Sequence, residues 1–409
     1  MSVRCSLLGT HKTPTVVAVL LCFGPVEGAL PAPPCFARLE VPVQGTLGNE
    51  VVGVSVDGCT CAGNTGGSTA WRWERGDVTV PTSFYASRMS ARDLSPDGRS
   101  LVGRCSDSSS VFTGKPVRWT SGVGIVPLTG HDFEADAQAV AADGLTIAGY
   151  LSYIAARWDP LGGFQTLGVL PGGDLSYTED ISHDGQVIVG YTEFNGNNDN
   201  RAFRWTESSG LVNLGVPDGY QASIASAVSA NGDVVVGLLE NSQGMEAFRW
   251  TADDGIVPLG HLPGGSFSQA LDVSSDGSIV VGIVGPWPDE EGMIWDAQNG
   301  MRRVRNLLEE NYGWDVGPIG RVTAVTPDGQ TLVGNGEVGS GSRPWIARLW
   351  EHDGWCPGDI DGDRVIDSTD LAILLAGYGL TKEVDFDCDC DTDLEDLTFL
   401  LSRFGTACP

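Results

Sequence analysis

The chain repeats itself, and that repeat limits its fold more than any other feature. A turn of the Ser/Ala-x-Asp-Gly type, followed by an apolar run ending in Gly, occurs seven times. The turns lie at Asp57-Gly58, Asp97-Gly98, Asp143-Gly144, Asp184-Gly185, Asn231-Gly232, Asp276-Gly277 and Asp328-Gly329, with spacings of 40, 46, 41, 47, 45 and 52 residues. Self-similarity at such a period marks a stack of supersecondary units. Asp-Gly between apolar runs makes a tight hairpin, because Gly accepts positive φ and Asp tolerates it.

Each copy has the same grammar. One apolar strand precedes the turn (225–228 in the fifth copy), and a second follows it (234–237). A third ends in Arg-Trp: Arg72-Trp73, Arg118-Trp119, Arg157-Trp158, Arg204-Trp205 and Arg249-Trp250. A shorter fourth run follows, such as Ile256-Val-Pro-Leu-Gly260. Four short strands every forty-odd residues make a propeller blade. The fold class expected is mainly β, a seven-bladed β-propeller followed by a small all-α calcium-binding domain. A closed ring is favoured over an open stack because closure hides edge strands; six or eight blades are the alternatives. The seventh copy ends at Trp350 without a fourth strand. Leu39-Glu-Val-Pro-Val-Gln44 resembles one, so the N-terminal segment is expected to complete the last blade.

The recurrent Trp residues read as fillers between stacked sheets. Each Arg, one position earlier, faces the other way and is expected to pair with a carboxylate. The Asp residues of the turns read as turn formers. The histidines (His11, His131, His183, His261 and His352) lie in no H-E-x-x-H or nucleophile-elbow context, and catalytic residues stay unassigned. His183 and His261 read as surface-loop residues. Insertions at 105–115, 193–201 and 285–291 are where a binding face is to be sought, with Tyr191 and Trp287 as rings able to stack on sugars.

Composition sets the surroundings. Net charge is −29 with pI about 4.3, which excludes nucleic acid and anionic membrane as natural partners. At the N-terminus Arg4, His11 and Lys12 precede the apolar run 15–23 and then Val26-Glu-Gly28. That is a signal-peptide pattern with cleavage after Gly28, and the run is too short to span a bilayer. The expected divisions are a signal peptide at 1–28, a propeller at 29–352 and a calcium-binding domain at 353–409, in a secreted or cell-surface protein. Eight cysteines follow the signal: Cys35, Cys59, Cys61, Cys105, Cys356, Cys388, Cys390 and Cys408. An even number in an exported chain fits disulfides, whose connectivity sequence leaves open. Neither Cys59-Thr-Cys61 nor Cys388-Asp-Cys390 has zinc-ligand spacing.

Residues 353–409 carry twelve Asp and two Glu against one Lys and two Arg. They hold two twelve-residue acidic loops, each leading into a short apolar helix. Loop 1 places Asp359, Asp361, Asp363, Asp367 and Asp370 at positions 1, 3, 5, 9 and 12, with the Val365 carbonyl at 7. Loop 2 places Asp385, Asp387, Asp389, Asp393 and Asp396 likewise, with the Asp391 carbonyl. Such sets converge on a hard cation of Ca²⁺ size, so two Ca²⁺ ions are expected. Leu371, Leu374 and Leu375 share a helical face, as do Leu397, Leu400, Leu401 and Phe404, so the two units are expected to bury these faces together. Gly is favoured at position 6, but Arg364 and Cys390 stand there. Cys356 and Cys408 bracket the module, and a disulfide between them would clasp its ends.

Two resemblances follow from these residues. The propeller copies resemble the HAF repeats of exported bacterial proteins in Glu179-Asp-Ile-Ser-His-Asp-Gly185, Glu246-Ala-Phe-Arg-Trp-Thr251 and Val257-Pro-Leu-Gly-His-Leu-Pro-Gly-Gly265. The final unit, Arg303-Val-Arg-Asn-Leu-Leu-Glu-Glu-Asn-Tyr-Gly313, is also similar and reads as a short inserted helix. This resemblance implies an extracellular β-propeller without assigned catalytic residues. Residues 356–409 resemble a type I dockerin, which implies Ca²⁺ at both loops and a cohesin-domain partner. By that resemblance loop positions 10 and 11 help choose the cohesin: Ser368 and Thr369 in loop 1, against Leu394 and Glu395 in loop 2. The function expected is therefore a binding or surface-assembly protein. The alternatives are a hydrolase of O-glycosyl bonds in polysaccharide breakdown, attached through its tail, and a structural surface protein.

Overall fold

In the computed structural model the residues described are 35–39, 49–65, 69–82, 88–106, 114–128, 134–161, 163–194, 199–285, 290–338, 341–349, 358–360, 364–379 and 384–406. Residues 1–28, read from sequence as a signal peptide, and Cys356, Cys408, His131, His352 and Trp287 lie outside them. Residues 32–409 form one compact unit.

Seven four-stranded antiparallel sheets follow one another along the chain. Blade 1 runs from Asn49–Val54 to Asp77–Thr79, blade 2 from Met89–Leu94 to Gly124–Pro127, and blade 3 from Ala135–Val140 to Phe164–Gly168. Blade 4 runs from Leu175–Ile181 to Gly210–Asn213, blade 5 from Ala222–Val228 to Gly255–Gly260, and blade 6 from Ser268–Val273 to Gly300–Arg303. Blade 7 takes three strands from Arg321–Val325, Thr331–Val338 and Gly341–Arg348, and its outer strand from Cys35–Arg38. Cys35 pairs with Arg348 and Arg38 with Trp345. The N-terminal segment therefore closes the ring as expected, with Cys35–Arg38 as the paired strand; of the expected stretch 39–44, residues 40–44 lie outside the described residues. The Leu39 amide donates to the Pro344 carbonyl (3.0 Å).

The first strand of every blade carries a bulge at the same rung, as between Ala91 and Asp93, Thr178 and Asp180, or Ala270 and Asp272. Opposite it stands the Gly that ends each apolar run. A Cβ on Gly237 would lie 2.0 Å from the Ile224 carbonyl oxygen and 2.9 Å from the Phe248 ring, so no other residue fits. The Asp-Gly turns are built as read: in blade 4 the Ser182 hydroxyl donates to Asp184 Oδ1 (2.6 Å), which also accepts from the Gln186 amide (2.9 Å). Trp73, Trp119, Trp158 and Trp205 are buried between blades.

The arginines differ from expectation. Arg72, Arg204 and Arg249 each donate from Nε to the turn Gly carbonyl of the next blade: Gly98 at 2.6 Å, Gly232 at 3.0 Å and Gly277 at 3.0 Å. Arg72 also pairs with Glu74, and Arg157 pairs with Asp159, the kind of carboxylate partner expected. The physical reason is reach: the strand ends just where the neighbouring turn points its carbonyl toward it. Blades 2, 4 and 6 add a second staple. Asp93, Asp180 and Asp272 each accept the amide of the following residue and that of Val140, Val228 or Val325 on the next blade, all at 2.6 to 2.8 Å. Gly53, Ala139, Ala227 and Ala324 take the same rung on the odd blades.

The helix before the last turn, α1 (Val304–Tyr312), ends on Gly313 at φ 67° and packs Val304 and Leu308 into the blade 6–blade 7 core. The tail contributes α2 (Ser368–Gly377) and α3 (Leu394–Arg403). Leu374 and Leu400 are fully buried between them, with Ile366, Val384 and Phe386 filling in from the loops. Leu375 and Leu401 are about half exposed (52% and 50%) and Phe404 is also exposed. The expected seam is thus narrower than the helical pattern implied, because loop residues occupy the space those side chains were to fill.

Candidate functional site

Each acidic loop begins its helix with a capping box. Asp367 Oδ1 accepts from the Thr369 amide (2.7 Å), and Asp393 Oδ1 from the Glu395 amide (2.7 Å). Asp370 accepts the Ile360 and Asp367 amides at 2.6 and 2.8 Å; Asp396 accepts those of Phe386 and Asp393 at the same distances. Arg364 and Cys390, at position 6, have φ of 72° and 71°, the left-handed geometry that favours Gly. The two halves also join through backbone bonds from Gly379 to Thr392 and from Gly405 to Ile366 (both 2.7 Å).

The loop 2 carboxylates fall into two groups. Asp385, Asp387 and Asp396 bring oxygens within 4.8 Å of one another, and Asp389, Asp391 and Asp393 do the same. Asp391, expected to offer its carbonyl, also brings its carboxylate, whose Oδ1 is buried without a partner. Burial, then repulsion from Asp389, Asp396 and Asp385, raises Asp387 to about 8; burial raises Asp396 to about 7. A pocket that holds protons this firmly favours a cation in their place, and its all-oxygen donor set suits a hard one. In loop 1, Asp359 accepts the Arg364 amide (2.8 Å) and Val365 is exposed; Asp361 and Asp363 lie outside the described residues. Ser368 and Thr369 are exposed on the first turn of α2.

Loop 2 is also bound to the propeller. Cys388 and Cys390, at positions 4 and 6, alternate with the carboxylates along the loop, and both take left-handed φ (66° and 71°). Cys388 is disulfide-bonded to Cys35 of the closing strand, and Cys390 to Cys59 beside the blade 1 turn, with Cα separations of 5.6 and 5.5 Å. Between them Arg348, the last residue of its strand, pairs with Asp385 at 3.1 Å; the side chains are 6% and 0% exposed. The tail therefore grips the seam between blades 7 and 1, on the face that carries the Asp-Gly turns. Cys61 and Cys105 are buried thiols.

A second cluster, not anticipated as a whole, lies at the other end of the strands. Tyr150 and Tyr153 flank the outer hairpin of blade 3, and Tyr177 and Tyr191 pair across blade 4. Ring centroids are 6.3 Å apart for Tyr150–Tyr153, 5.4 Å for Tyr150–Tyr177 and 5.2 Å for Tyr177–Tyr191. Arg92 donates twice to Asp136 (3.2 and 3.0 Å), and Arg104 lies 3.6 Å from Glu134. The three insertions singled out in sequence join the second and third strands of blades 2, 4 and 6, so all begin from this same face. Tyr191 is thus where a binding ring was sought; Tyr150, Tyr153 and Tyr177 were missed. Below them the central channel, a cavity of ≈ 180 Å³, is lined by Asp93, Glu179, Asp180, Asp272, Arg92 and His183 among others. Burial raises Glu179 and Asp272 to about 7 and Asp180 to about 6. A readable signal existed: Asp precedes the turn in Arg92-Asp-Leu-Ser-Pro-Asp-Gly98, Glu179-Asp-Ile-Ser-His-Asp-Gly185 and Leu271-Asp-Val-Ser-Ser-Asp-Gly277, in alternate copies.

Fold and site define a seven-bladed β-propeller with a small acidic helical tail locked to its ring closure. Among solved structures it is similar to an oligogalacturonate lyase in complex with manganese (TM-score 0.54, 14% identity, 79% of this chain and 97% of that one). It is likewise similar to an oligogalacturonate lyase from Vibrio parahaemolyticus (TM-score 0.52, 11% identity, 77% and 94%). At such identities the likeness is one of fold. TolB from Acinetobacter baumannii matches at TM-score 0.42 and 13% identity, and the match spans 64% of that protein. No family model matches the chain, and no curated protein does. Two disulfides fit an oxidising compartment, and among the described residues no helix is long and apolar enough to cross a membrane.

Proposed function

We propose that this is an exported binding protein whose dockerin-like tail takes two Ca²⁺ ions and, through loop 2, clasps the ring closure of its propeller. One observation carries the reading: in loop 2 Asp385, Asp387 and Asp396 bring their oxygens together, as do Asp389, Asp391 and Asp393, while Cys388 and Cys390 between them reach the closing strand and blade 1. Ca²⁺ would be held in loop 2 by Asp385, Asp387, Asp389, Asp393 and Asp396 with the Asp391 carbonyl, and in loop 1 by the matching set from Asp359 to Asp370. Bound there, it neutralises the carboxylates and stabilises the folded module. Exposed Ser368 and Thr369 then form the surface open to a cohesin-type partner. Calorimetry on the full chain is expected to show about two Ca²⁺ sites, with retention of a cohesin domain in pull-down. Absence of binding at millimolar Ca²⁺ would overturn the calcium reading; absence of cohesin retention would leave a calcium-stabilised tail alone.

A second reading, a polysaccharide-acting enzyme, is favoured by the carboxylates Glu134, Glu179 and Glu193 around the tyrosines. Hydrolysis of a polysaccharide by the purified protein, abolished by Glu179→Gln, would establish it.

A further inference from the structure

We propose that the face over blades 2 to 4, opposite the tail, binds a neutral oligosaccharide chain through its tyrosine row. The proposal rests on reading the propeller as a binding body, and depends neither on calcium nor on hydrolysis.

The row is continuous because the sheets place it so. Ser90 pairs in register with Arg104 on blade 2, Asp136 with Tyr150 on blade 3, and Tyr177 with Tyr191 on blade 4. These pairs occupy the same rung of three successive blades, and the contacts Arg92–Asp136 and Tyr150–Tyr177 cross the two boundaries between them. The next two blades carry Ile224 with Leu238 and Gln269 with Ile283 at that rung. Blades 1 and 7 carry Glu50 with Asn64 and Arg321 with Asn335 there, so at this rung the aromatic groups are concentrated on one sector of the mouth.

Tyr153 is placed over that row by an unusual turn. Ser152 and Tyr153, the two residues linking the second and third strands of blade 3, both take positive φ (50° and 63°). Bulky residues rarely occupy that region, and hairpins of this kind normally use Asn and Gly. Glu134 holds the turn at both ends: its carbonyl accepts the Ser152 amide (2.6 Å), and its carboxylate accepts the Tyr153 hydroxyl (2.8 Å). The result is a ring 41% exposed, parallel to Tyr150 within 8° and 6.4 Å from Tyr177.

Charge selects the ligand class. Glu134, Asp136, Glu179 and Glu193 surround the row against Arg92 and Arg104, within a chain of net charge −29. A polyanion meets repulsion here. Arg92, tied to Asp136, and Arg104 close one end of the row against a cation. A pyranose ring offers a C–H face to stack on tyrosine, and hydroxyls that can both donate to carboxylates and accept from a guanidinium. Such a ligand matches apolar platforms set among polar groups of both kinds.

The test is calorimetric titration of the full chain, in calcium, with hexasaccharides of β-1,4-linked glucose, mannose and xylose, beside oligomers of galacturonate and glucosamine. At least one neutral hexasaccharide is expected to bind, and Tyr153→Ala and Tyr177→Ala to weaken it about tenfold or more by loss of a stacking ring. Tyr153→Phe keeps the ring and should stay within about threefold of the parent. Thermal unfolding confirms that each variant is folded, and exposed Tyr153 makes its variants the decisive pair. Binding confined to the charged oligomers, no neutral binding at millimolar ligand, or binding indifferent to both alanine variants would each overturn the proposal. Loss of calcium binding in Asp387→Asn with sugar binding intact would separate this site from the tail.

Discussion

The two cystines that hold the tail to the propeller should be strongly non-additive, and the topology says by how much. The Cys35–Cys388 bridge spans 353 residues and Cys59–Cys390 spans 331. Either bridge alone closes one long loop, which chain-entropy reasoning values at about 6 kcal/mol. Once it is closed, the other closes only a small ring, about 26 residues long, made of the segment between Cys35 and Cys59 and the pair Cys388 and Cys390; that is worth about 3.5 kcal/mol. Replacing either pair with alanine should therefore cost about 3.5 kcal/mol, and replacing both about 9. Guanidinium unfolding in saturating calcium, followed by tryptophan fluorescence, measures this. Trp71 and Trp73 pack in the same cluster as Cys35 and Cys388, so they report on the seam directly. If the double replacement costs no more than a single one, the tail is not what constrains the unfolded ring, and the reasoning fails.

Three further outcomes follow from the site geometry. Asp396→Asn should reduce the calcium stoichiometry by about one, since Asp396 also orders the Phe386 and Asp393 amides; calorimetry showing two undiminished sites would contradict it. Arg348→Met leaves the buried Asp385 without its partner, and should cost about 3–5 kcal/mol of stability, partly restored by adding Asp385→Asn; an unchanged unfolding midpoint would refute this. The propeller should lose stability as pH rises from about 4 to 7. Asp180 and Asp272 titrate near 6 and 7 when folded, above their ordinary 3.8, so the folded state binds the extra protons and forfeits that advantage on deprotonation. Every pH unit separating the folded from the unfolded titration of such a carboxyl contributes about 1.4 kcal/mol, and Asp272→Asn should flatten the profile measured in saturating calcium.

The blades were legible because their signals are local. Asp184 and Gly185 make their turn with residues two positions away, and Gly237 is required by a carbonyl on the adjacent strand. In loop 2 the acidic residues read from spacing lie in two groups, Asp385 with Asp387 and Asp396, and Asp389 with Asp391 and Asp393. Other features were decided by a partner on another element. Cys35–Arg38 is a closing strand because the free edge of Gly341–Arg348 selects its register. The arginines found turn carbonyls because the next blade presents them.

The number of blades, the turns and the acidic loops thus belong to patterns written within a few dozen residues. The pairing of Cys35 with Cys388, the burial of Arg348 against Asp385 and the single row made by Tyr150, Tyr153, Tyr177 and Tyr191 do not. They exist because a closed ring returns the chain to its own beginning and sets equal rungs of successive sheets side by side, a proximity that no spacing along the chain encodes.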